Sequence, residues 1–249
     1  MAADAIIERR EYKYLIAPAM IPRIRRELAG ICHPDPYGGP DGRYPIRSLY
    51  LDTRSFQLAE SNRAEAHTRF KVRVRSYPSA PSAPAFLEVK RRFGDVIRKS
   101  RVAVPASEWP GLLSLPAATQ RAEVASFVHL VTWLDLRPAA VVEYDREAWV
   151  SDLDDYGRVT FDLAIGCQRA DDWSLSPRPF ARIPLDYPAR TATWGPVAIL
   201  EMKWAGPAPV WMRSLVQRLE LIRYAYSKYG SAIEELSERR DLPAMAVGA

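Results

Sequence analysis

The sequence predicts an α+β fold built on antiparallel strands. Two patterns indicate this class: several segments alternate apolar and charged residues with the strand period of two, and others repeat apolar residues at helical spacing. The clearest alternation lies in residues 70–75 and 86–90, which a loop rich in Pro, Ser and Ala connects. A third charged group, 98–101, follows a turn at Gly94-Asp95. Charged positions therefore recur on strand after strand.

Two interpretations of these charged faces are open at this point. Lys71, Arg73 and Arg75 share one face of the first strand, and Glu88 and Lys90 share one face of the second. In most antiparallel sheets such a face is the solvated outer surface. Alternatively, the charged faces point inward and line a polar tunnel, while the apolar faces pack outward against helices. The period alone does not decide between the two arrangements.

The remaining elements follow from the same two patterns. In chain order the sequence predicts strand 6–16, a helix from Pro18 to Gly30, strand 47–52, a short helix to about Asn62, a helical region over 105–136, strands 140–149, 159–165 and 197–204, and a helix after Pro209. Segment 173–192, rich in Pro and Arg, shows neither pattern. Because there is no internal repeat and no long linker, we expect one domain over 1–242, followed by a flexible tail at 243–249.

The composition excludes several classes of site and partner. With 48% hydrophobic and 26% charged residues the chain is typical of globular proteins, and a net charge of +5 hints at an anionic ligand. Cys32, Cys167 and the histidines are scattered, which excludes a zinc-type site and suits a cytoplasmic protein with reduced thiols.

The sequence has no leader and no apolar run near the ~20 residues that span a bilayer, so we expect no membrane segment. Aromatic residues do not alternate with basic ones, which argues against nucleic acid.

The motifs of covalent and P-loop chemistry are missing. The sequence contains no Gly-rich phosphate loop, serine elbow, paired histidines or cysteine nucleophile. It does place Arg and Lys on strand faces with carboxylates among them, in the pairs Glu11 with Lys13, Glu88 with Lys90, and Glu201 with Lys203. Both cations suit phosphate oxygens. Phosphoryl transfer fits this inventory because it needs positioning and charge neutralisation, and a carboxylate could hold a divalent metal.

Short charged motifs follow one another along nearly the whole chain. In order they are Arg10, Glu11, Lys13 and Tyr14; Leu49-Tyr50-Leu51-Asp52; Lys71-Val72-Arg73-Val74-Arg75; Phe86-Leu87-Glu88-Val89-Lys90; Lys99-Ser100-Arg101; Glu143-Tyr144-Asp145-Arg146; Arg158-Val159-Thr160-Phe161-Asp162; Ile199-Leu200-Glu201-Met202-Lys203; and Ser227-Lys228-Tyr229. Each motif alone is weak, but their order is specific. Together they resemble the VTC domain of polyphosphate polymerases, in the CYTH-like superfamily of triphosphate tunnel proteins.

The resemblance implies a fold, a site and a reaction. The fold would be the triphosphate tunnel, an antiparallel β-barrel with a polar, basic lumen and helices packed outside, which favours the inward arrangement of the charged faces. The catalytic, phosphate-binding residues would be Lys13, Arg73, Arg75, Lys90, Lys99, Arg146, Arg158 and Lys228. Further substrate contacts would come from Arg101, Lys203 and Tyr50. The metal, Mn or Mg, would be bound by Glu201, with Glu11 and Glu88 as further ligands. The implied reaction transfers the γ-phosphoryl group of ATP onto a growing inorganic polyphosphate chain.

The first strand departs from the pattern of the related tunnel hydrolases. Those enzymes carry a Glu-x-Glu-x-Lys signature, in which Arg9 here takes the first Glu position and only Glu11 and Lys13 match. One acidic group that could serve a second metal or an activated water is therefore absent, which favours a polymerase over a triphosphatase. Carboxylates on other strands could replace it: Glu88, Glu143 and Asp162.

Two other functions remain alternatives to the polymerase. One is a tunnel-type triphosphatase or nucleotide cyclase, and the other is a non-catalytic module that binds polyphosphate or nucleotide. Eukaryotic members of the family join this domain to a regulatory domain and a membrane segment. We expect this chain to act alone in the cytoplasm, or with a separate partner that supplies membrane docking.

Overall fold

The computed structural model describes residues 9–78, 83–94, 96–193 and 195–239. Within it the chain forms two compact units, each of which is described by itself. Unit 1 comprises Met1–Tyr44, Tyr144–Ile165 and Asp186–Tyr226, and unit 2 comprises Pro45–Glu143, Gly166–Leu185 and Ser227–Ala249. The single domain over 1–242 stays a prediction, and the predicted tail at 243–249 lies outside the described residues.

The elements alternate along the chain between strands and helices. The strands are β1 (Arg9–Ile16), β2 (Cys32–Pro34), β3 (Arg43–Asp52), β4 (Thr68–Ser76), β5 (Ala85–Phe93), β6 (Val96–Val104), β7 (Arg137–Ser151), β8 (Gly157–Arg169), β9 (Ile183–Pro184) and β10 (Ala198–Ala205). The helices are α1 (Ile21–Leu28), α2 (Gln57–Arg63), α3 (Ala122–Trp133), α4 (Pro188–Thr191), α5 (Val210–Arg218) and α6 (Lys228–Glu238). Short 3-10 turns lie at Pro18–Met20, Gly111–Ser114 and Ala117–Thr119.

Unit 1 is a helix-backed antiparallel sheet in which β1, β10, β8 and β7 are successive neighbours and β2 pairs with β7. Its core lies on the face of Tyr14 and Leu200, which are opposite one another in the register. Helix α1 packs there because Ile21, Ile24 and Leu28 fall on one side of the helix, and all three are buried. Helix α5 contributes buried residues to the same core.

Unit 2 repeats this arrangement with β7, β3, β4, β5 and β6 as successive neighbours, while β9 pairs with β8. Val72 and Val89 are cross-strand partners on the apolar face, and both are buried. Helix α3 packs its Phe127 and Val131 into the same core. The α+β class and the antiparallel sheet that the sequence predicts are thus confirmed.

The charged faces are not ordinary solvated surfaces in either unit. They lie opposite the faces that pack against α1, α3 and α5, because side chains alternate along each strand. Charged groups on them are nevertheless buried: Glu88 is 1% exposed and Asp162 is 0% exposed. This burial favours the tunnel interpretation of each face over a solvated meander. That the faces line an enclosed lumen stays a prediction.

The structure differs from the sequence prediction mainly in the long strands. β7 begins at Arg137 and β8 ends at Arg169, because residues on both faces of these strands are buried and the period-two signal is lost. Segment 173–192 contains β9 and α4. Among the helices of the described residues, none has the length and apolar character needed to cross a membrane.

Candidate functional site

The charged face of unit 2 is centred on Glu88. In the register, Arg73 of β4, Glu88 of β5 and Arg101 of β6 stand side by side, and Tyr50 of β3 lies opposite Arg73. Arg73 Nε donates to Glu88 Oε2 at 2.7 Å, and Lys99 Nζ donates to Oε1 at 2.8 Å. Arg101 Nε is 3.3 Å from the same Oε1. One buried carboxylate is thus shared by three cations.

The surrounding cations keep Glu88 ionised. Burial alone would raise the pKa of its carboxyl group, but Arg73, Arg75 and Lys99 outweigh burial and hold that pKa well below its usual range. A permanently charged carboxylate allows the basic side chains to be packed together before any ligand arrives. Glu88 therefore acts as an internal counterion of the basic face.

The charge of Lys99 is more easily lost than that of an ordinary lysine. Burial lowers the pKa of its amino group to about 8, against the opposing effect of Glu88 and with further lowering by Arg73 and Arg75. An anion placed beside Lys99 would favour the charged form and raise this pKa again. Lys99 thus takes up a proton most readily when a phosphate group binds.

Arg75 and Arg101 also contact a hydroxyl group and an aromatic ring, respectively. Arg75 is 6% exposed and its Nε donates to Ser48 Oγ at 3.1 Å. The guanidinium carbon of Arg101 lies 3.7 Å from the centroid of the Phe86 ring, which is a cation–π contact. These contacts orient both guanidinium groups, as phosphate recognition requires.

Helix α6 begins on this face at Lys228. Ser227 Oγ accepts from the backbone N–H of Gly230 at 3.1 Å and caps the helix. The Tyr229 ring stacks on Tyr50 with centroids 4.6 Å apart, and its hydroxyl donates to Asp52 Oδ2 at 2.5 Å. The same carboxylate accepts from three backbone N–H groups, those of Thr53, Leu58 and Ala59.

The charge of Lys228, the first residue of α6, acts on Tyr50. Tyr50 is buried, which would raise its pKa, yet Arg73, Arg75 and Lys228 together lower it. The Tyr50 hydroxyl also accepts from Arg73 Nη1 at 3.0 Å. The sequence did not identify Asp52 or Tyr229 as site residues, although both belong to motifs that carry the resemblance.

The charged face of unit 1 is balanced rather than basic. Lys13 Nζ lies 2.8 Å from Glu11 Oε1 and 3.7 Å from Glu201 Oε1. Lys203 Nζ lies 2.6 Å from Glu201 Oε2 and 3.8 Å from Glu11 Oε2. The carboxylates outweigh burial and raise the pKa of both lysines. Two carboxylates and two ammonium groups thus neutralise one another.

Arg146 extends this cluster to a third carboxylate. Its Nε and Nη2 donate to the two oxygens of Asp162 at 2.6 and 2.8 Å, and Nη2 also reaches Glu201 Oε2 at 3.3 Å. Although burial alone would lower it, Asp162 raises the pKa of Arg146 well above its usual value. Arg158 lies opposite Lys203 in the register and is exposed.

The donor atoms of this cluster are of the type that hard divalent cations prefer, although lysine ammonium groups already contact the carboxylates of Glu11 and Glu201. Glu201 and Glu11 supply carboxylate oxygens, and Thr160, directly opposite Glu201, has a buried Oγ1 without a hydrogen-bond partner among the described residues. Mg and Mn prefer oxygen ligands, and Mg commonly takes one or two carboxylates together with substrate phosphates. Over the described ranges no three carboxylate, imidazole or thiol groups form a complete metal site. Phosphate oxygens would therefore have to complete the coordination.

The predicted site residues thus fall into two groups. Unit 1 holds Glu11, Lys13, Arg146, Arg158, Glu201 and Lys203, and unit 2 holds Tyr50, Arg73, Arg75, Glu88, Lys90, Lys99, Arg101 and Lys228. Both oxygens of Glu88 face cations, as do both oxygens of Glu201 and Glu11, so the metal-binding role of these carboxylates stays a prediction with no support from their contacts. Of the alternative carboxylates, Asp162 joins the unit 1 cluster, whereas Glu143 pairs with Arg47 at 3.0 Å.

Comparison with known proteins gives a family. The sequence model of the VTC domain matches residues 8–237. No curated protein sequence matches the chain significantly. Similar solved structures include the PH1819 protein from Pyrococcus horikoshii OT3, with 10% identity over 93% of this chain and 99% of that chain and a TM-score of 0.45. The PH1012 protein of the same organism has 14% identity over 90% and 99%, with a TM-score of 0.44. The match over most of its length shows that the chain belongs to the VTC domain family.

Proposed function

We propose that the protein is a metal-dependent polyphosphate polymerase that uses ATP. It would transfer the γ-phosphoryl group of ATP onto the end of a growing inorganic polyphosphate chain. Membership of the VTC domain family supports the handling of polyphosphate. The single observation that carries the proposal is the crowding of Arg73, Lys99 and Arg101 around one buried carboxylate, Glu88.

The charge of this face would favour a polyanionic ligand. Three cations against one carboxylate leave positive charge that water screens poorly in a partly buried site. Phosphate oxygens would neutralise this charge, and each charge-assisted hydrogen bond to them contributes roughly 1.5–3 kcal/mol. Arg73 and Arg75 offer planar forks that match two phosphate oxygens, whereas Lys99 offers a point charge.

The reaction needs no nucleophile from the protein. A terminal oxygen of the polyphosphate chain attacks the γ-phosphorus of ATP, a new P–O–P bond forms, and the bond to the β–γ bridging oxygen breaks so that ADP leaves. Arg73, Arg75 and Lys99 would stabilise the charge on the transferring group and hold it in line. Lys228, at the N-terminal end of α6, would supply a further cation. Mn or Mg bound by Glu201 and Glu11 would neutralise phosphate charge when present.

The test is to incubate the purified protein with ATP and Mn or Mg, and to analyse the products on a gel. We expect long polyphosphate chains together with ADP. Lys228→Ala and Glu201→Gln should each abolish chain synthesis, while Arg91→Gln should retain it. Arg91 is a matched control because it is an exposed basic residue on the opposite face of β5.

Two other outcomes would replace the proposal. Free phosphate without chains would identify a triphosphatase, to which Glu88 or Asp162 would have to contribute in place of the missing acidic residue at position 9. Tight binding of ATP or polyphosphate without turnover would identify a binding module. Either outcome contradicts polymerase activity.

A further inference from the structure

A second basic row lies beside the residues of the proposed reaction. Lys71 of β4, Lys90 of β5 and Lys99 of β6 occupy directly opposed positions of three neighbouring strands. We call these three residues the lysine row. They share the face of Arg73 and Glu88, because they are two positions away along each strand. Lys71 is not among the site residues that the family resemblance implies.

The lysine row continues the basic face in one direction. It lies one two-residue step, about 6.7 Å along the strands, from the row of Arg73, Glu88 and Arg101. A further step of the same length brings Arg69 opposite Arg92. The cationic positions therefore extend for about 13 Å beyond Glu88, toward the turn between β5 and β6.

Contacts fix the ends of this extension. Lys71 Nζ donates to Ser227 Oγ at 2.8 Å, which ties the row to the start of α6. Arg69 Nη1 donates to the carbonyl of Ala66 at 2.6 Å, and Arg92 Nε donates to the carbonyl of Gly94 at 2.8 Å. Hydrogen bonds to neighbouring groups of the protein thus hold these three side chains.

The chemistry of the two rows differs. In the first row a carboxylate stands between two arginines, whereas the lysine row has one lysine on each of three adjacent strands, of which Lys71 contacts Ser227 and Lys99 contacts Glu88. A guanidinium fork fixes one phosphate group in a set orientation, but an ammonium group is a flexible point charge with three donors. A row of such groups suits a repeating polyanion whose phosphate groups must move past.

We propose that Lys71 and Lys90 of the lysine row, with Arg69 and Arg92, bind the phosphate groups of a polyphosphate chain that lie beyond the three of a triphosphate, while Lys99, which contacts Glu88, stays with the phosphate groups of the triphosphate. Lys71 is then a substrate-binding residue that distinguishes long chains from triphosphates. The inference rests on the proposed function for its substrate class. It adds a length-dependent binding region to that function.

The test compares two ligands and two variants in the absence of ATP. Dissociation constants are measured for long-chain polyphosphate and for tripolyphosphate, with the wild type, Lys71→Gln and Arg91→Gln. We expect Lys71→Gln to weaken long-chain binding about ten-fold and tripolyphosphate binding less than two-fold, because one charge-assisted hydrogen bond is lost only with the chain. Arg91→Gln, on the opposite face, should change both by less than about two-fold. Lys71→Arg should retain long-chain binding.

The wild type provides a second measurement that does not depend on the folding of a variant. The salt dependence of binding reports the number of counterions released, so its slope should be steeper for long chains than for tripolyphosphate. Equal salt slopes for the two ligands would overturn the inference. So would an equal loss of affinity for both ligands in Lys71→Gln, or an equal loss of affinity for a single-stranded oligonucleotide. These measurements need no turnover. A protein that makes no polyphosphate could still bind long chains through Lys71, so failure of the proposed function and failure of this inference are distinguishable.

Discussion

The charged faces of the two units have the same origin but differ in charge balance. In unit 1 the cations Lys13, Lys203 and Arg146 each contact a carboxylate of the same cluster. In unit 2 several cations share the carboxylate of Glu88. Both faces arise from period-two alternation on strands whose other face is covered by helices. Their alternation alone therefore does not say which face needs a ligand.

The difference assigns distinct tasks to the two faces. A balanced cluster needs no ligand to neutralise its charge, and a metal cation would have to compete with its ammonium groups for the carboxylate oxygens. A cluster with excess positive charge is stabilised when an anion binds, because like charges in a partly buried site repel one another. The account therefore expects polyphosphate to act on the stability of unit 2 and a divalent cation to act on unit 1.

The largest effect is expected for Glu88→Gln. Removing the buried carboxylate leaves Arg73, Lys99 and Arg101 without their shared counterion, so the free energy of unfolding should fall by about 3 kcal/mol. Polyphosphate should restore most of this loss, because its oxygens replace the carboxylate. Urea unfolding with and without polyphosphate measures both effects.

The matched comparison is Asp162→Asn in unit 1. It breaks the two hydrogen bonds from Arg146 to a fully buried carboxylate and should also cost about 3 kcal/mol. Polyphosphate should not restore this loss beyond the stabilisation that it gives the wild type. Equal recovery of both variants would contradict the assignment of anion binding to unit 2.

A smaller effect is expected for Tyr229→Phe. The substitution keeps the stack on Tyr50 but removes one of the donors to the buried Asp52 carboxylate, which should cost about 1.5 kcal/mol of unfolding free energy. Lys228 would lose its fixed position, so affinity for tripolyphosphate should fall as well. Tyr224→Phe, at a 47% exposed tyrosine, should change neither quantity. Unaltered ligand affinity in Tyr229→Phe would show that the pair does not position Lys228.

The pH dependence of binding should follow Lys99. Phosphate binding requires the charged amino group, whose pKa is about 8 beside Glu88, Arg73 and Arg75. Affinity for tripolyphosphate should be nearly constant below about pH 7 and fall about ten-fold between pH 7 and pH 9, because binding must then take up a proton. Titration calorimetry in buffers of different ionisation enthalpy measures this uptake. Lys99→Arg should abolish it, since arginine stays charged, and a decline that persists in Lys99→Arg would assign it to another group.

The smallest stability effect is expected for Thr160→Val. The hydroxyl is buried without a hydrogen-bond partner in the described part of the chain, so an isosteric methyl group should leave stability unchanged or raise it by up to about 1 kcal/mol. If the hydroxyl contributes to a cation site with Glu201, Mn should bind more weakly to the variant in the presence of tripolyphosphate. Unchanged Mn affinity would remove Thr160 from that site.

Alternation in the sequence predicts the strands and the residues that share a face, as the register of Lys71, Arg73 and Arg75 confirms. It cannot predict whether a charged face is buried, because burial depends on neighbouring strands that are distant in sequence. For the same reason the contact between Tyr229 and Asp52, separated by 177 positions, has no local signal. The family pattern, and not its own strand, excluded Lys71 from the predicted site. On that strand Lys71 lies on the same face as Arg73 and Arg75.

The most direct measurement is a crystal structure of the protein with tripolyphosphate. The account predicts phosphate oxygens within hydrogen-bond distance of Arg73, Arg75 and Lys99, on the face that carries Glu88. Phosphate groups bound instead against Arg91 and Arg98, on the opposite face of β5 and β6, would contradict it.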